Sequence, residues 1–139
     1  MRYCFFCAAL LLAACGMESQ PPLVANDVVV SAPMPGMKMS AAYMSLTNNS
    51  GQTLRISRVT SPQYESAELH ETTMEDGIAR MRALPDLKIS AGATVTLQRG
   101  AKHLMLTRPA GNSDTVTLQF FDGDDLILTV DATPESRID

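Results

Sequence analysis

The two histidines of this chain and two of its nine methionines form one spaced set, His70-x10-Met81-x21-His103-x-Met105. Imidazole nitrogens and thioether sulfurs together suit a soft or borderline metal, and copper in the +1 state matches them best. A single strand histidine is more often structural, and a single methionine usually fills the core. The joint pattern instead favours a copper(I) site made of these four residues.

The thioether ligands suit an oxidising compartment. They need no deprotonation and form no disulfides, so they can bind copper(I) where thiolates would be oxidised. Histidine adds a ligand for which protons compete. The set holds no carboxylate, which makes calcium and magnesium poor candidates.

Further methionines lie outside this set. A Pro-Gly loop contains Met34, Met37 and Met39, and Met74 stands in a predicted hairpin turn. All four are candidates for an auxiliary copper(I) site or a hand-over surface. The alternative for the loop is that its methionines cover a hydrophobic edge.

The first residues are typical of a secretory signal. Arg2 precedes an apolar run from Tyr3 to Ala14, shorter than the roughly 20 residues of a membrane-spanning helix. Leu12-Ala13-Ala14-Cys15 resembles the bacterial lipoprotein box, which has small residues before the cysteine. We expect cleavage before Cys15 and a lipid on that residue. The alternative is an ordinary signal peptide cut near Ala14.

This start predicts three parts: a signal peptide at 1–14, the lipidated cysteine with a short tether at 15–25, and one copper-binding β-domain at 26–139. The other cysteines fall in the signal, so the mature chain has none for a disulfide, a zinc-thiolate site or a blue-copper site. We expect a periplasmic protein anchored to a bacterial membrane by its lipid. Gly16 favours the outer membrane, by resemblance to enterobacterial lipoproteins.

Charge and motif content exclude other classes. The net charge of −4 comes without any basic block, which argues against nucleic-acid binding. No nucleophile elbow or Ser/His/Asp set is present, since both histidines belong to the metal pattern. The chain is therefore predicted not to be an enzyme.

Beyond the signal the pattern is strand, turn, strand, with no sustained helical periodicity. Asp76-Gly77 predicts a hairpin turn between the strands of His70 and Met81, and Asp122-Gly123 predicts a second turn. His103 and Met105 are two apart and should project from one face of a strand. These features favour an all-β sandwich or barrel. The predicted strands are 28–30, 42–47, 54–59, 67–71, 78–82, 95–97, 103–106, 116–120 and 126–130.

The spaced set resembles the signature of the periplasmic copper chaperone family PCuAC, with every spacing matched. Its surroundings are similar to the family's as well, over roughly residues 28 to 130: Ala42-Tyr43-Met44 with Asn48, Glu68-Leu69-His70-Glu71-Thr72, the run GAKHLML at 100–106, and Leu118-Gln119-Phe120 with Gly123. Arg99 and Ala101 stand where the family usually has proline and glycine.

This resemblance implies a cupredoxin-like Greek-key β-sandwich or barrel. By position it implies copper(I) ligation by His70, Met81, His103 and Met105. It also implies a copper acceptor as partner, either a cytochrome c oxidase subunit whose copper centre is being assembled or another copper chaperone. Three alternatives stay open: a lipoprotein for copper storage or detoxification, a metal-free β-sandwich interaction lipoprotein, and a copper redox enzyme.

Overall fold

The computed structural model describes residues 20–33 and 35–135. The predicted signal peptide, Cys15 and Met34 lie outside the described residues. Within them the chain forms strands and turns only, which confirms the all-β prediction, and no described segment is a helix able to cross a membrane. The strands are β1 Leu23–Ser31, β2 Met39–Asn48, β3 Leu54–Ile56, β4 Arg58–Ser61, β5 Tyr64–Glu75, β6 Ile78–Ala83, β7 Leu87–Ile89, β8 Thr94–Leu97, β9 Lys102–Pro109, β10 Val116–Asp122, β11 Asp125–Ala132 and β12 Pro134–Glu135.

Ten of these strands form one sheet, in the order β11-β10-β4-β5-β9-β2-β1-β12, with β6 added to β5 and β8 added to β2. Strands distant in sequence are neighbours, such as β4 with β10 and β2 with β9, as in Greek-key folds. The sheet curls so that β1 also contacts β11. The two remaining strands, β3 and β7, pair with each other.

The core lies inside this curled sheet and is built by period-two alternation. On β2 the even-numbered residues Ala42, Met44 and Leu46 are buried, and on β9 Leu104 and Leu106 are buried. Successive side chains on a strand point to opposite faces. The odd-numbered neighbours on β9, which include His103 and Met105, therefore point to the outer face of the sheet.

The predicted strand at 54–59 is wrong as a single element. The chain leaves the β3–β7 pair at Ser57 and enters the large sheet as β4. The backbone N–H of Ser57 donates to the Phe121 carbonyl, and its Oγ accepts from the Gly123 N–H. Alternation breaks at this corner, so Ile56 and Val59 are both buried while Arg58 is exposed.

The predicted tether is too long, because β1 already begins at Leu23. Leu23 is fully buried and pairs with Asn48 at the end of β2. The preceding Pro22 carbonyl accepts a hydrogen bond from the Asn49 N–H. Residues 23–25 therefore belong to the folded sheet, because an apolar side chain there completes the core.

Both predicted turns exist, with one difference in detail. Glu75 pairs with Ile78, so Asp76 and Gly77 are the two loop residues, and both have positive φ as a type I′ hairpin requires. At the second turn Asp122 pairs with Asp125, so the loop residues are Gly123 and Asp124. Gly123, at φ 60°, supplies the left-handed conformation there.

Candidate metal site

The β5–β6 hairpin positions two of the four predicted ligands. Thr72 pairs with Met81 and His70 pairs with Ala83, so Met81 lies one diagonal step from His70. Paired residues of an antiparallel ladder share a face, and so do residues two apart. His70 and Met81 therefore lie on the same face of the hairpin, as the Asp76-Gly77 turn predicted.

Strand β9 positions the other two. His103 pairs directly with His70, and Met105 pairs with Glu68. The two imidazole rings have centroids 5.9 Å apart and are tilted by 56°. The register therefore puts His70, Met81, His103 and Met105 on one face, opposite the core leucines of β9.

The backbone fixes the orientation of the His103 ring. Its Nδ1 lies 3.0 Å from the carbonyl oxygen of Ala101. A carbonyl can only accept, so Nδ1 bears the hydrogen and the Nε2 lone pair of the neutral ring is free. The same carbonyl accepts from the Thr72 N–H, which ties this loop to β5. A free Nε2 with an anchored Nδ1–H is the usual arrangement of a metal-binding histidine.

His70 has the opposite arrangement. Its Nε2 lies 3.3 Å from a carboxylate oxygen of Glu68, which fixes the hydrogen on Nε2 and leaves the lone pair on Nδ1. That Nδ1 is buried and has no hydrogen-bond partner among the described residues. A buried acceptor without a partner is costly, which makes this nitrogen a candidate ligand.

Glu68 is held in place from both sides. Ser66 Oγ donates to its second carboxylate oxygen at 2.9 Å. This hydrogen bond, and next the one to His70, hold the pKa of the Glu68 carboxyl below its usual range. The carboxylate therefore stays ionised and remains an acceptor for the His70 ring at neutral pH.

The four candidate ligands differ in how far they are exposed to solvent. His103 is only 7 % exposed, Met105 and His70 are partly buried, and Met81 is 51 % exposed on a strand that is exposed throughout. Three candidate ligands thus sit in the sheet surface, while the fourth stands on a projecting hairpin. An approaching protein would reach Met81 first.

The other methionines fall in two places. Met37 and Met39 line a groove together with Met105, Tyr43 and Arg99, so they adjoin the four-residue set. Met74 pairs with Ala79 near the hairpin tip, on the face of Met81, and is exposed. Met37 and Met39 are each about half exposed.

Residues 20–33 and 35–135 contain no group of three or more histidine, cysteine or carboxylate side chains that could hold a metal ion. Two orienting contacts were missed in the sequence, the Glu68 carboxylate and the Ala101 carbonyl. Glu68 could have been found, because it stands two residues before His70 and so shares its face.

A family model matches most of the chain. Residues 23–132 match the family model described as "Putative lipoprotein LpqE-like". No curated protein matches the sequence. The chain belongs to the LpqE-like family.

Solved structures with this fold include PCuAC domains. The copper(I)-bound solution structure of DR1885 from Deinococcus radiodurans is 34 % identical, with a TM-score of 0.67 over 89 % of this chain and 85 % of that one. The apo form of DR1885 is 32 % identical, with a TM-score of 0.61 over 99 % and 95 %. The copper-bound PCuAC domain from PmoF2 is 18 % identical, with a TM-score of 0.66 over 83 % and 93 %. These likenesses confirm the resemblance to the PCuAC family and its cupredoxin-like β-sandwich fold.

Proposed function

We propose that this protein binds copper(I) as cargo through His70, Met81, His103 and Met105 and hands it to an acceptor protein. The observation that supports this most directly is the buried Nδ1 of His70, an acceptor without a partner beside the His103 ring. Copper(I) would accept this lone pair together with the His103 Nε2. The copper(I)-bound DR1885 and the copper-bound PmoF2 domain support the choice of metal.

The donor set suits copper(I) better than harder ions. Two neutral imidazoles and two thioethers bring no negative charge, so they match a monovalent soft cation. Thioethers do not exchange protons, and only the imidazoles lose affinity when protonated. Binding should therefore weaken on acidification without a thiol-like dependence at alkaline pH.

The exposure gradient favours a carrier over a store. Met81 is half exposed on the projecting hairpin, so an acceptor can displace this ligand first while the histidines still hold the ion. An acceptor with thiolate ligands binds copper(I) more strongly than thioethers and imidazoles do. We propose such an acceptor, the copper centre of a cytochrome c oxidase subunit during assembly or a second copper chaperone.

The location proposed for this hand-over is the periplasm, with the protein held at a bacterial membrane by lipid on Cys15. The lipoprotein family to which the chain belongs supports this anchor. Sorting to the outer membrane rests on Gly16 alone. A lipid anchor would confine the carrier to a membrane surface.

The test is an anaerobic competition titration against a chromogenic copper(I) chelator. The full-length chain would have all three cysteines replaced by serine, so that no thiol binds copper. We expect one tight equivalent, weakened by each single alanine change in the four ligands and nearly lost in His103→Ala/Met105→Ala. Met44→Leu, at a buried core position, is the matched control and should keep full affinity.

The loaded protein is then mixed with a reduced dithiol acceptor and separated from it. Copper found with the acceptor supports a carrier, while copper retained by this protein indicates storage or detoxification. A chain that binds no copper(I) would be a metal-free interaction lipoprotein. In cells, deletion should lower oxidase activity when copper is scarce, and added copper should restore it.

A further inference from the structure

A groove lined by three methionines adjoins the candidate copper site. Met37, Met39 and Met105 line it together with Tyr43 and Arg99, and its volume is about 180 Å³. Met37 is 46 % exposed and Met39 is 45 % exposed, so neither side chain is buried in the core. Their sulfurs are therefore accessible to an ion in the groove.

The strand register brings two of these methionines within reach of each other. Met39 pairs with Thr107 and Ala41 pairs with Met105, so Met39 and Met105 are diagonal neighbours on the outer face. Such neighbours are roughly 7–8 Å apart, with their Cβ atoms somewhat closer, and long side chains bridge this span. Met37 lies two residues before Met39 and lines the same groove. Met105 thus belongs both to this groove and to the four-residue set.

The charge beside the groove opposes tight binding of a cation. The Arg99 guanidinium lies 5.3 Å from the centroid of the Tyr43 ring, and both residues line the groove. Its positive charge repels copper(I), and no carboxylate among the lining residues offsets it. A thioether site here would hold copper(I) weakly, which suits a site that the ion occupies only in transit.

We propose that Met37, Met39 and Met105 form a second, weaker copper(I) site through which the ion reaches or leaves the His/Met site. This rests on the proposed function. Copper stays in the +1 state throughout, because the step only exchanges ligands. Met105 keeps its bond to copper, the bonds to His70, Met81 and His103 break, and the sulfurs of Met37 and Met39 form two new bonds. The shared sulfur means that the ion need never be released to water.

The test follows methionine methyl groups by NMR in the full-length, cysteine-free chain, labelled with ¹³C at the methionine methyls and ¹⁵N at the histidines. The first equivalent of copper(I) should shift Met81, Met105 and both histidine rings. The second equivalent should shift Met37 and Met39 and move Met105 again. If the second equivalent leaves Met37 and Met39 unchanged, this proposal is wrong while the proposed function stands. If neither equivalent of copper(I) shifts the histidine signals, the proposed function itself is wrong.

Three variants make the test specific. Met37→Leu/Met39→Leu should lose the second equivalent, keep the first, and slow copper transfer to the dithiol acceptor. Met74→Leu, another exposed methionine, is the control and should change neither. Arg99→Gln should tighten the second equivalent, which a purely structural role would not do.

Three outcomes would overturn the assignment. Loss of the second equivalent in Met74→Leu would move the second site to the hairpin. If copper transfer to the acceptor is as fast in the Met37→Leu/Met39→Leu variant as in wild type, these methionines play no part in the transfer. A weaker second equivalent in Arg99→Gln would contradict the argument from charge.

Discussion

Glu68→Gln should weaken copper(I) binding without changing the ligands themselves. The native carboxylate accepts from His70 Nε2 at 3.3 Å and so keeps the lone pair on Nδ1. A glutamine side chain has nearly the same shape, but it is neutral and can present an N–H to the ring. The tautomer with hydrogen on Nδ1 then gains population, and that form cannot bind metal through Nδ1.

The size of the effect is limited by solvent. The Glu68 side chain is 62 % exposed, and charge-assisted contacts of exposed groups contribute about 0.2–1 kcal/mol. That range corresponds to a loss of at most about fivefold in affinity. Orienting partners of buried metal ligands contribute more, roughly 10–100-fold. A loss well above a hundredfold would exceed the range of orienting partners and would mean that Glu68 itself binds the ion.

Glu65→Gln is the matched control. Glu65 lies on the same strand, its side chain is also 62 % exposed, and it pairs with Arg108, away from the site. Both variants remove one negative charge, but only Glu68 contacts a candidate ligand. The assay is the copper(I) competition titration, with imidazole ¹⁵N shifts reporting the tautomer of His70. Equal affinity loss in both variants, or an unchanged tautomer in Glu68→Gln, would refute the reasoning.

Four further predictions concern the scaffold, the pH response and the anchor. Asn48→Ala should cost roughly 2–4 kcal/mol in urea unfolding, because its buried amide donates to the Gln52 and Ile89 carbonyls and accepts from Ser50; an unchanged midpoint would contradict this. The apo protein should show the circular dichroism of a folded β-domain, and copper should add only a binding-linked rise in Tm. The lowered pKa of Glu68 contributes stability at neutral pH that is lost as pH falls through the carboxyl range. Wild type should therefore lose slightly more stability on acidification than Glu68→Gln, as measured by Tm against pH. Cys15→Ser should leave the precursor unprocessed, and mass spectrometry of an unmodified mature N-terminus in wild type would refute lipidation.

The sequence predicted those parts of the fold that depend on local chemistry. A type I′ turn requires positive φ at both loop positions, and Asp-Gly adopts this conformation readily, so the hairpin of His70 and Met81 could be inferred from Asp76 and Gly77. Because His103 and Met105 are two residues apart, the sequence also predicted that both side chains project from one face of a strand. The direct pairing of His70 with His103 could not be inferred, because it depends on β5 and β9 being neighbours in the sheet. Such long-range pairing is decided by the packing of the whole core.

The remaining differences have similar causes. The strand at 54–59 divides at Ser57 because the chain changes sheets there, and alternation alone does not reveal a corner. A polar, proline-containing stretch predicts a tether that includes Leu23, whereas the burial of this side chain against the core makes it part of β1. The groove of Met37 and Met39 depends on the long-range pairing of β2 with β9, which brings Met105 beside Met39. Only the presence of these methionines, and not their position beside Met105, was visible in the sequence.

The projecting β5–β6 hairpin also creates a hazard of self-association. Among the described strands β6 pairs only with β5, so its outer edge leaves backbone donors and acceptors open to another chain. Arg80 and Arg82 stand on the face opposite Met81 and both form ion pairs with Glu75. Bulky charged side chains beside an open edge discourage a second copy from adding its own strand. The hairpin that carries Met81 is thereby guarded against edge-to-edge pairing with a second copy of the chain.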